Sequence, residues 1–401
     1  MDAANHADRT ASARTAQVVA IGGAQLIAWA SSIYLPAVIA GAQAAELGID
    51  KTTVFAAYSL ALAVAALVAP AVGRAVDRRG GRGVLVLANL VLAAGLVGLG
   101  ICSGTITLFL AWIAIGLGIA LGLYDAAFAA LVRQHGVGAR NAIIGITLLG
   151  GFASTIGWPL SAYWQAEHGW RAVCLLWAVL HILVALPLNA LFVPRLAATA
   201  SPQPSTELHQ RHFERDERKT LALLAIFGAA TAFVTSAMAA HLPALFMGAG
   251  LGGTAAIAAA SLVGVAQVVT RFSEFLLARY RPQPPLTMAR VATALHPVGA
   301  VGLLALGGTP LAAAAFAALH GAGNGMITIA KGTLPLALFG PVGYGGRLGL
   351  LTVAHRLAQA LAPFLFGLAM EVYGVFGALS LSATLSLVAL ASLALLVNSG
   401  Q

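Results

Sequence analysis

From about residue 16 onward the chain alternates long apolar runs with short polar breaks. Apolar stretches cover 16–41, 52–73, 83–103, 105–131, 141–163, 171–193, 220–247, 254–279, 286–307, 310–336, 347–371 and 374–397. Runs of about 20 residues, without the every-second-residue alternation of a barrel strand, predict helices that cross a bilayer. In lipid each segment must satisfy its own backbone hydrogen bonds, and a helix does so unaided. The pattern therefore predicts an all-α integral membrane protein with twelve spans. The longest polar interruption, Val193–Lys219, opens Pro/Ser/Thr-rich and closes on the mixed charge of RHFERDERK. It predicts a solvated linker carrying a short amphipathic helix. The chain then divides into an N-terminal six-helix half (1–193), a cytoplasmic linker (194–219) and a C-terminal six-helix half (220–401).

Composition agrees with lipid as the solvent. Hydrophobic residues make up 60% of the chain and charged residues 9%, too little charge to clothe a soluble protein of 401 residues. The basic excess is asymmetric. With the N-terminus inside, the outer loops hold only Lys51 and Arg171, and the spans hold Arg271, Lys331 and Arg356. The other seventeen of the 22 basic residues fall on the inner side or its edges, which predicts both termini and the linker in the cytoplasm. A multi-pass protein of the cell membrane, the inner membrane of a bacterium, is the expectation. Dispersed over loops, this positive charge gives no nucleic-acid face. The first fifteen residues are polar, with Arg9 and Arg14, and read as a cytoplasmic tail without a cleaved signal. Cys102 and Cys174 are the only cysteines, so no disulfide scaffold or CxxC site is expected. No GxxxxGK[ST] loop is present to bind ATP, and neither HExxH nor paired aspartates suggest an enzyme. The partners expected are a small solute, a proton and the lipid bilayer, with no cofactor or metal and a monomeric chain.

The densest charge sits in one tight turn. Gly73–Arg82 (GRAVDRRGGR) joins the second and third spans and holds Arg74, Asp77, Arg78, Arg79 and Arg82. The pattern Gly-x-x-x-Asp-Arg-x-Gly, ending in Arg82, resembles the signature loop of the major facilitator superfamily of secondary transporters. That resemblance implies two six-helix halves and solute transport by alternating access. It also implies gating roles for Gly73, Asp77, Arg78 and Arg82, with Arg133 at the end of the fourth span as a partner. Physically, a carboxylate such as Asp77 suits a helix N-terminus, and the start of the eleventh span near Arg347 offers one. Basic residues here also satisfy the inside-positive bias by themselves. Gly81 stands where the family usually has a basic residue, and the corresponding loop RYRPQPP (279–285) lacks the pattern. In the fifth span, Gly150, Gly151, Gly157, Trp158 and Pro159 partly resemble the Gly-Pro signature of superfamily antiporters. Trp158 separates Gly from Pro, so helix packing with a kink is the preferred reading.

Ionisable groups inside spans are costly and point to function. Arg356 enters roughly 14 Å into its span and is the leading contact for an oxyanion, its guanidinium being planar and permanently charged. His355 lies beside it, about 100° round the helix. Asp125, after Tyr124 in GLYDAAF, is either a proton carrier or a gate ion pair with Lys331 or Arg271. Arg271 and Glu274 share a helix face and suit a local pair, and Lys331 can snorkel. Superfamily geometry lines the pathway with spans one, four, seven and ten, which selects His241 and especially His320 for coupling to protons. His320 opens HGAGNG, whose glycines are read as opening the helix, with Asn324 one turn on. His181 and His296 are read as structural. In the first span Gln25, Trp29 and Ser32 share one face, a polar and aromatic stripe toward the pathway.

Three basic against two acidic groups in the spans favour an anionic or strongly polar solute. The expected protein is a proton-coupled carrier, symporter or antiporter, of a small organic anion. The alternative is a proton-driven resistance exporter for drugs or metalloids such as arsenite, where the two thiols would matter; small buried apolar residues are the plainer reading of both.

Overall fold

The computed structural model describes residues 2–196 and 207–396, and among them every regular element is helical. In chain order these are α1 (Asp2–Ser32), α2 (Pro36–Leu47), α3 (Lys51–Arg79), α4 (Gly81–Gly100), α5 (Thr105–Gly122), α6 (Tyr124–His135) and α7 (Arg140–Gly150). They continue as α8 (Ala153–Leu180), α9 (Leu186–Phe192), α10 (Glu207–Gly248), α11 (Gly253–Tyr280), α12 (Pro285–Leu306), α13 (Pro310–Phe339) and α14 (Tyr344–Ala394). Glycines at positive φ, Gly169 in α8 and Gly374 in α14, break those long helices in two. Divided there, the helices accommodate the twelve passes read from hydropathy. Of the linker, residues 197–206 lie outside the described residues, and α10 already begins at Glu207.

Among the described residues, eight helical stretches are long and apolar enough to cross a bilayer, some holding more than one pass. Helix α13 is not one of the eight, although it runs for 30 residues. His320, Asn324, Lys331 and a run of glycines dilute its hydropathy, and α13 hides most of this surface against its neighbours. A helix screened from lipid need not be uniformly apolar.

The chain divides into two compact units. The first is 1–200 with 341–349; the second is 201–340 with 350–401. In the second unit the HGAGNG segment does not open α13, contrary to the sequence reading. The helix is continuous, and its glycines let neighbours approach. A Cβ on Gly321 would stand 2.4 Å from the Val263 carbonyl of α11, and one on Gly323 2.7 Å from the Ala292 carbonyl of α12. In the first unit the fourth span is not the unbroken helix expected. It breaks at Leu123, which is extended (φ −80°, ψ −173°) between α5 and α6. Small-residue faces thus set how closely helices approach, and one break sets where α6 starts.

Candidate functional site

The charged turn forms the C-terminal end of α3 and the start of α4. Asp77 Oδ1 accepts from the Gly345 N–H at 2.9 Å and Oδ2 from the Gly346 N–H at 2.8 Å. Both N–H groups belong to the first turn of α14, where no helical carbonyl precedes them and the helix end carries partial positive charge. The carboxylate caps this end with two charge-assisted bonds. The segment 341–349 belongs to the first unit, so the contact is internal to that unit. Gly73 lies against the same turn: a Cβ there would meet the Gly345 carbonyl oxygen at 1.9 Å. Arg133, in the last turn of α6, donates Nε–H to the Asp77 backbone carbonyl at 3.0 Å. Arg347 turns back on the Val342 carbonyl. Arg78 and Arg79 are exposed at the end of α3, where their charge complements the helix dipole, and Arg82 is half-buried. The residues brought together are Gly73, Asp77 and Arg133.

Farther into the first unit, the break at Leu123 leaves the end of α5 without its next helical turn. Gln25 of α1 donates Nε2–H to the Gly122 carbonyl at 2.6 Å and fills part of that gap. Gln25 is 1% exposed, and its Oε1 has no hydrogen-bond partner among the described residues. Asp125 falls in the first turn of α6, a favourable position for a carboxylate. Beside the break lies an aromatic cluster. Trp29 and Tyr124 have ring centroids 4.9 Å apart, Tyr124 stacks on Phe128 at 5.3 Å, and Tyr34 meets Trp158 edge-on at 5.5 Å. Trp158 donates Nε1–H to the Tyr34 carbonyl at 3.1 Å. Gly150 makes room, since a Cβ there would stand 2.4 Å from the Tyr124 hydroxyl. Ser32 is not part of this group: it is fully buried and donates to the Ala28 carbonyl of its own helix at 2.5 Å. His181, in a short π-helical turn (His181–Ala185), bridges Ser31 and Asn89 at 2.8 Å each and ties three spans together.

The second unit holds its polar groups differently. Pro363 has no N–H for the Gln359 carbonyl one turn earlier in α14, and Ser236 of α10 donates its hydroxyl there at 2.9 Å. His241 of α10 braces the same stretch through the Pro363 carbonyl, 2.8 Å from Nε2. Arg356, 3% exposed, donates Nη1–H to Gln359 Oε1 at 3.0 Å, so Gln359 joins the guanidinium to the α10 brace. From α13, Asn324 Oδ1 accepts from Thr235 of α10 at 3.0 Å, and the Asn324 carbonyl accepts from Thr328 at 2.9 Å. Arg271 of α11 donates Nη2–H to Thr328 Oγ1 at 3.2 Å, reaching across to α13. Lys331 stands 2.9 Å from His355 Nδ1 of α14. Three buried or half-buried cations thereby share one hydrogen-bonded region of α10, α11, α13 and α14.

His320 lies apart from that region. It stacks between His296 of α12 (4.6 Å) and Phe316 (5.9 Å) and is 3% exposed. Sequence reasoning placed it with Asn324; the structure gives Asn324 to α10 and sets His320 in the α12 packing. It missed Tyr34, Phe128, Ser236 and Gln359. Only the Pro363 gap left a trace in sequence, and the trace does not say which helix fills it. Cys102 and Cys174 are buried free thiols.

With this geometry in place, comparison is informative. The model of a family described as Major Facilitator Superfamily matches residues 21–317. No curated protein matches the chain. Among solved structures 266 chains match. One is the crystal structure of the human organic anion transporter MFSD10 (TETRAN), with a TM-score of 0.73 over 95% of this chain and 99% of that one. At 17% sequence identity this likeness speaks for the fold alone.

Proposed function

The chain belongs to the Major Facilitator Superfamily, and from that premise we propose that it moves a small organic anion across the cytoplasmic membrane, coupled to protons. That it is a multi-pass membrane transporter of a small solute follows from the family. The anionic solute rests on one observation: Arg271, Lys331 and Arg356 share the polar region of the second unit. Cations at membrane depth are retained where they serve a solute or ion. Arg356 supplies the planar fork for an oxyanion, and Asn324 and Gln359 supply neutral hydrogen-bonding groups near it. Asp77 holds the start of α14, whose later residues belong to the second unit, and is proposed to gate the transport cycle with Gly73 and Arg133. Asp125 is the proposed proton carrier of the first unit. His320, enclosed by His296 and Phe316, is the weaker candidate for that role. Both termini are proposed to be cytoplasmic, from the charge bias. The solute-bearing form is proposed to be a monomer.

The aromatic cluster of the first unit favours a second reading, export of an apolar or aromatic drug, because stacked Trp and Tyr rings take flat hydrophobic solutes.

Proteoliposomes given labelled benzoate, succinate or an aromatic cation in the external medium, under an imposed pH gradient, separate the readings. Accumulation of a carboxylate driven by external acid, lost in Arg356→Ala, is the expected result. Gradient-driven movement of the cation alone, unchanged in Arg356→Ala, overturns the anion reading in favour of the exporter.

A further inference from the structure

A single hydroxyl of α10 faces a pair of acceptors. Thr235 Oγ1 lies 2.8 Å from the Thr231 carbonyl of its own helix and 3.0 Å from Asn324 Oδ1 of α13. A hydroxyl has only one proton to give. The Thr231 carbonyl stands inside α10, where the helix already supplies a backbone N–H four residues on. Asn324 Oδ1 has no other donor among the described residues. The proton is therefore worth more to Asn324, and it fixes the amide at its oxygen. An amide fixed at its oxygen is fixed at its nitrogen too. The Asn324 NH2 is turned away from Thr235, and neither of its protons meets an acceptor among the described residues. Asn324 is half-buried, which leaves that NH2 within reach of a small molecule. Its surroundings are polar. Asn324, Thr328 and Lys331 recur at i, i+4 and i+7 on one face of α13, and Thr235 of α10, Arg271 of α11 and His355 of α14 meet them there.

We infer that Asn324 reads a second oxygen of the solute through its NH2, and that Thr235 is the positioning residue that turns the NH2 toward it. The substrate class is then narrower than a carboxylate. It is a small organic acid with an acceptor oxygen, such as a keto group, apart from its charge. A solute with a methylene in that place leaves the amide protons without an acceptor and forfeits the hydrogen bond. The opposite orientation, with NH2 on Thr235 Oγ1 and Oδ1 outward, would favour a solute donor instead. A keto oxygen only accepts, so it tells the orientations apart. This inference rests on the anion reading and adds a requirement that charge alone does not impose.

Pentanoate and its 4-oxo form, levulinate, share chain length and charge and differ by one acceptor oxygen. Their affinities for the full-length chain in lipid nanodiscs are measured by calorimetry in wild type, Thr235→Val, Thr235→Ser, Asn324→Leu, Asn324→Asp and Arg356→Ala. Wild type should bind levulinate about fivefold more tightly, as one neutral hydrogen bond provides. That preference should vanish in Asn324→Leu and reverse in Asn324→Asp, whose carboxylate keeps the Thr235 bond and has no proton to offer. Thr235→Val keeps the shape and loses the hydroxyl, so the preference should shrink to about twofold or less, and Thr235→Ser should restore it. Damage to packing would weaken both acids together and leave their ratio unchanged. Equal binding of the two acids by wild type, or a preference that outlasts Asn324→Leu, overturns the inference. A preference untouched by Thr235→Val overturns the positioning role. If the acids bind alike and both weaken in Arg356→Ala, only this inference falls. If levulinate is preferred through Asn324 while Arg356→Ala changes neither affinity, the anion reading falls and the oxygen site stands. Failure of wild type to bind either acid overturns both.

Discussion

The two units brace irregular helices with opposite chemistries. In the first, the break at Leu123 is closed by a neutral amide, Gln25, and flanked by the rings of Trp29, Tyr124 and Phe128. In the second, the gap at Pro363 is closed by Ser236 on the Gln359 carbonyl, and Gln359 in turn holds the Arg356 guanidinium. A neutral brace fixes geometry without placing charge at membrane depth. A brace that ends in arginine does both, so the second unit can recognise charge while the first offers shape and aromatic surface. The fixed cations of the spans all lie in one unit, which concentrates any anion specificity there.

Substitutions put this contrast to the test. The largest effect is expected outside both braces, at Gly73→Val. With Gly345 O only 1.9 Å from the first added carbon, α3 cannot keep its place against α14, and uptake should fall to background in protein that still reaches the membrane. Normal uptake would show that the close approach is dispensable. Next, Arg356→Ala should weaken binding of a carboxylate by about 30-fold or more, as truncating a buried charged partner does. Arg356→Lys, which keeps the charge and loses the fork, should bind less well than wild type by about tenfold. Equal affinities by calorimetry in all three proteins would remove the second unit's claim to the anion.

Asp77→Asn retains one carbonyl oxygen but turns an N–H donor toward the other backbone N–H. Transport should slow by about tenfold while affinity stays within a few-fold, since one charge-assisted cap is lost and no solute contact is altered. Abolished binding would reassign Asp77 to the solute site. Trp29→Ala is expected to change carboxylate affinity by a few-fold at most, because stacking contributes only about 1 kcal/mol beyond burial. If it exceeds the effect of Arg356→Ala, the aromatic unit is the recognising one. Smallest of all, Ser236→Ala should cost about 1 kcal/mol of thermal stability and leave affinity intact.

Much of the architecture was legible because hydropathy reports the solvent directly: runs long enough to cross lipid must be helices, whatever packs beside them. The Asp77 turn was legible too, since charge between two apolar runs has to be explained, and the first residues of α14 were named as its partner. Two features were not. The break at Leu123 carries no proline; Gly122 before it and Asp125 after it are the local cues, and neither by itself specifies a break. The glycines of HGAGNG were seen but read as loosening α13; glycine permits both loosening and close approach, and only the carbonyls of Val263 and Ala292 opposite them decide. Ser32 shares a helix face with Gln25 and Trp29, yet its short hydroxyl bonds more readily to its own helix than across to a neighbour.

The assignment of residues 341–349 to the first unit has a consequence for dividing the protein. Severed within 197–206 and expressed as two polypeptides, the chain would yield a first fragment lacking residues 341–349, among them Gly345 and Gly346, which meet Gly73 and Asp77. That fragment would carry a carboxylate without its backbone donors and an empty slot along α3, and the second would display the uncapped helix start. Each piece is thus incomplete in a way that only the other repairs, so the gene is separable only where both products are made together.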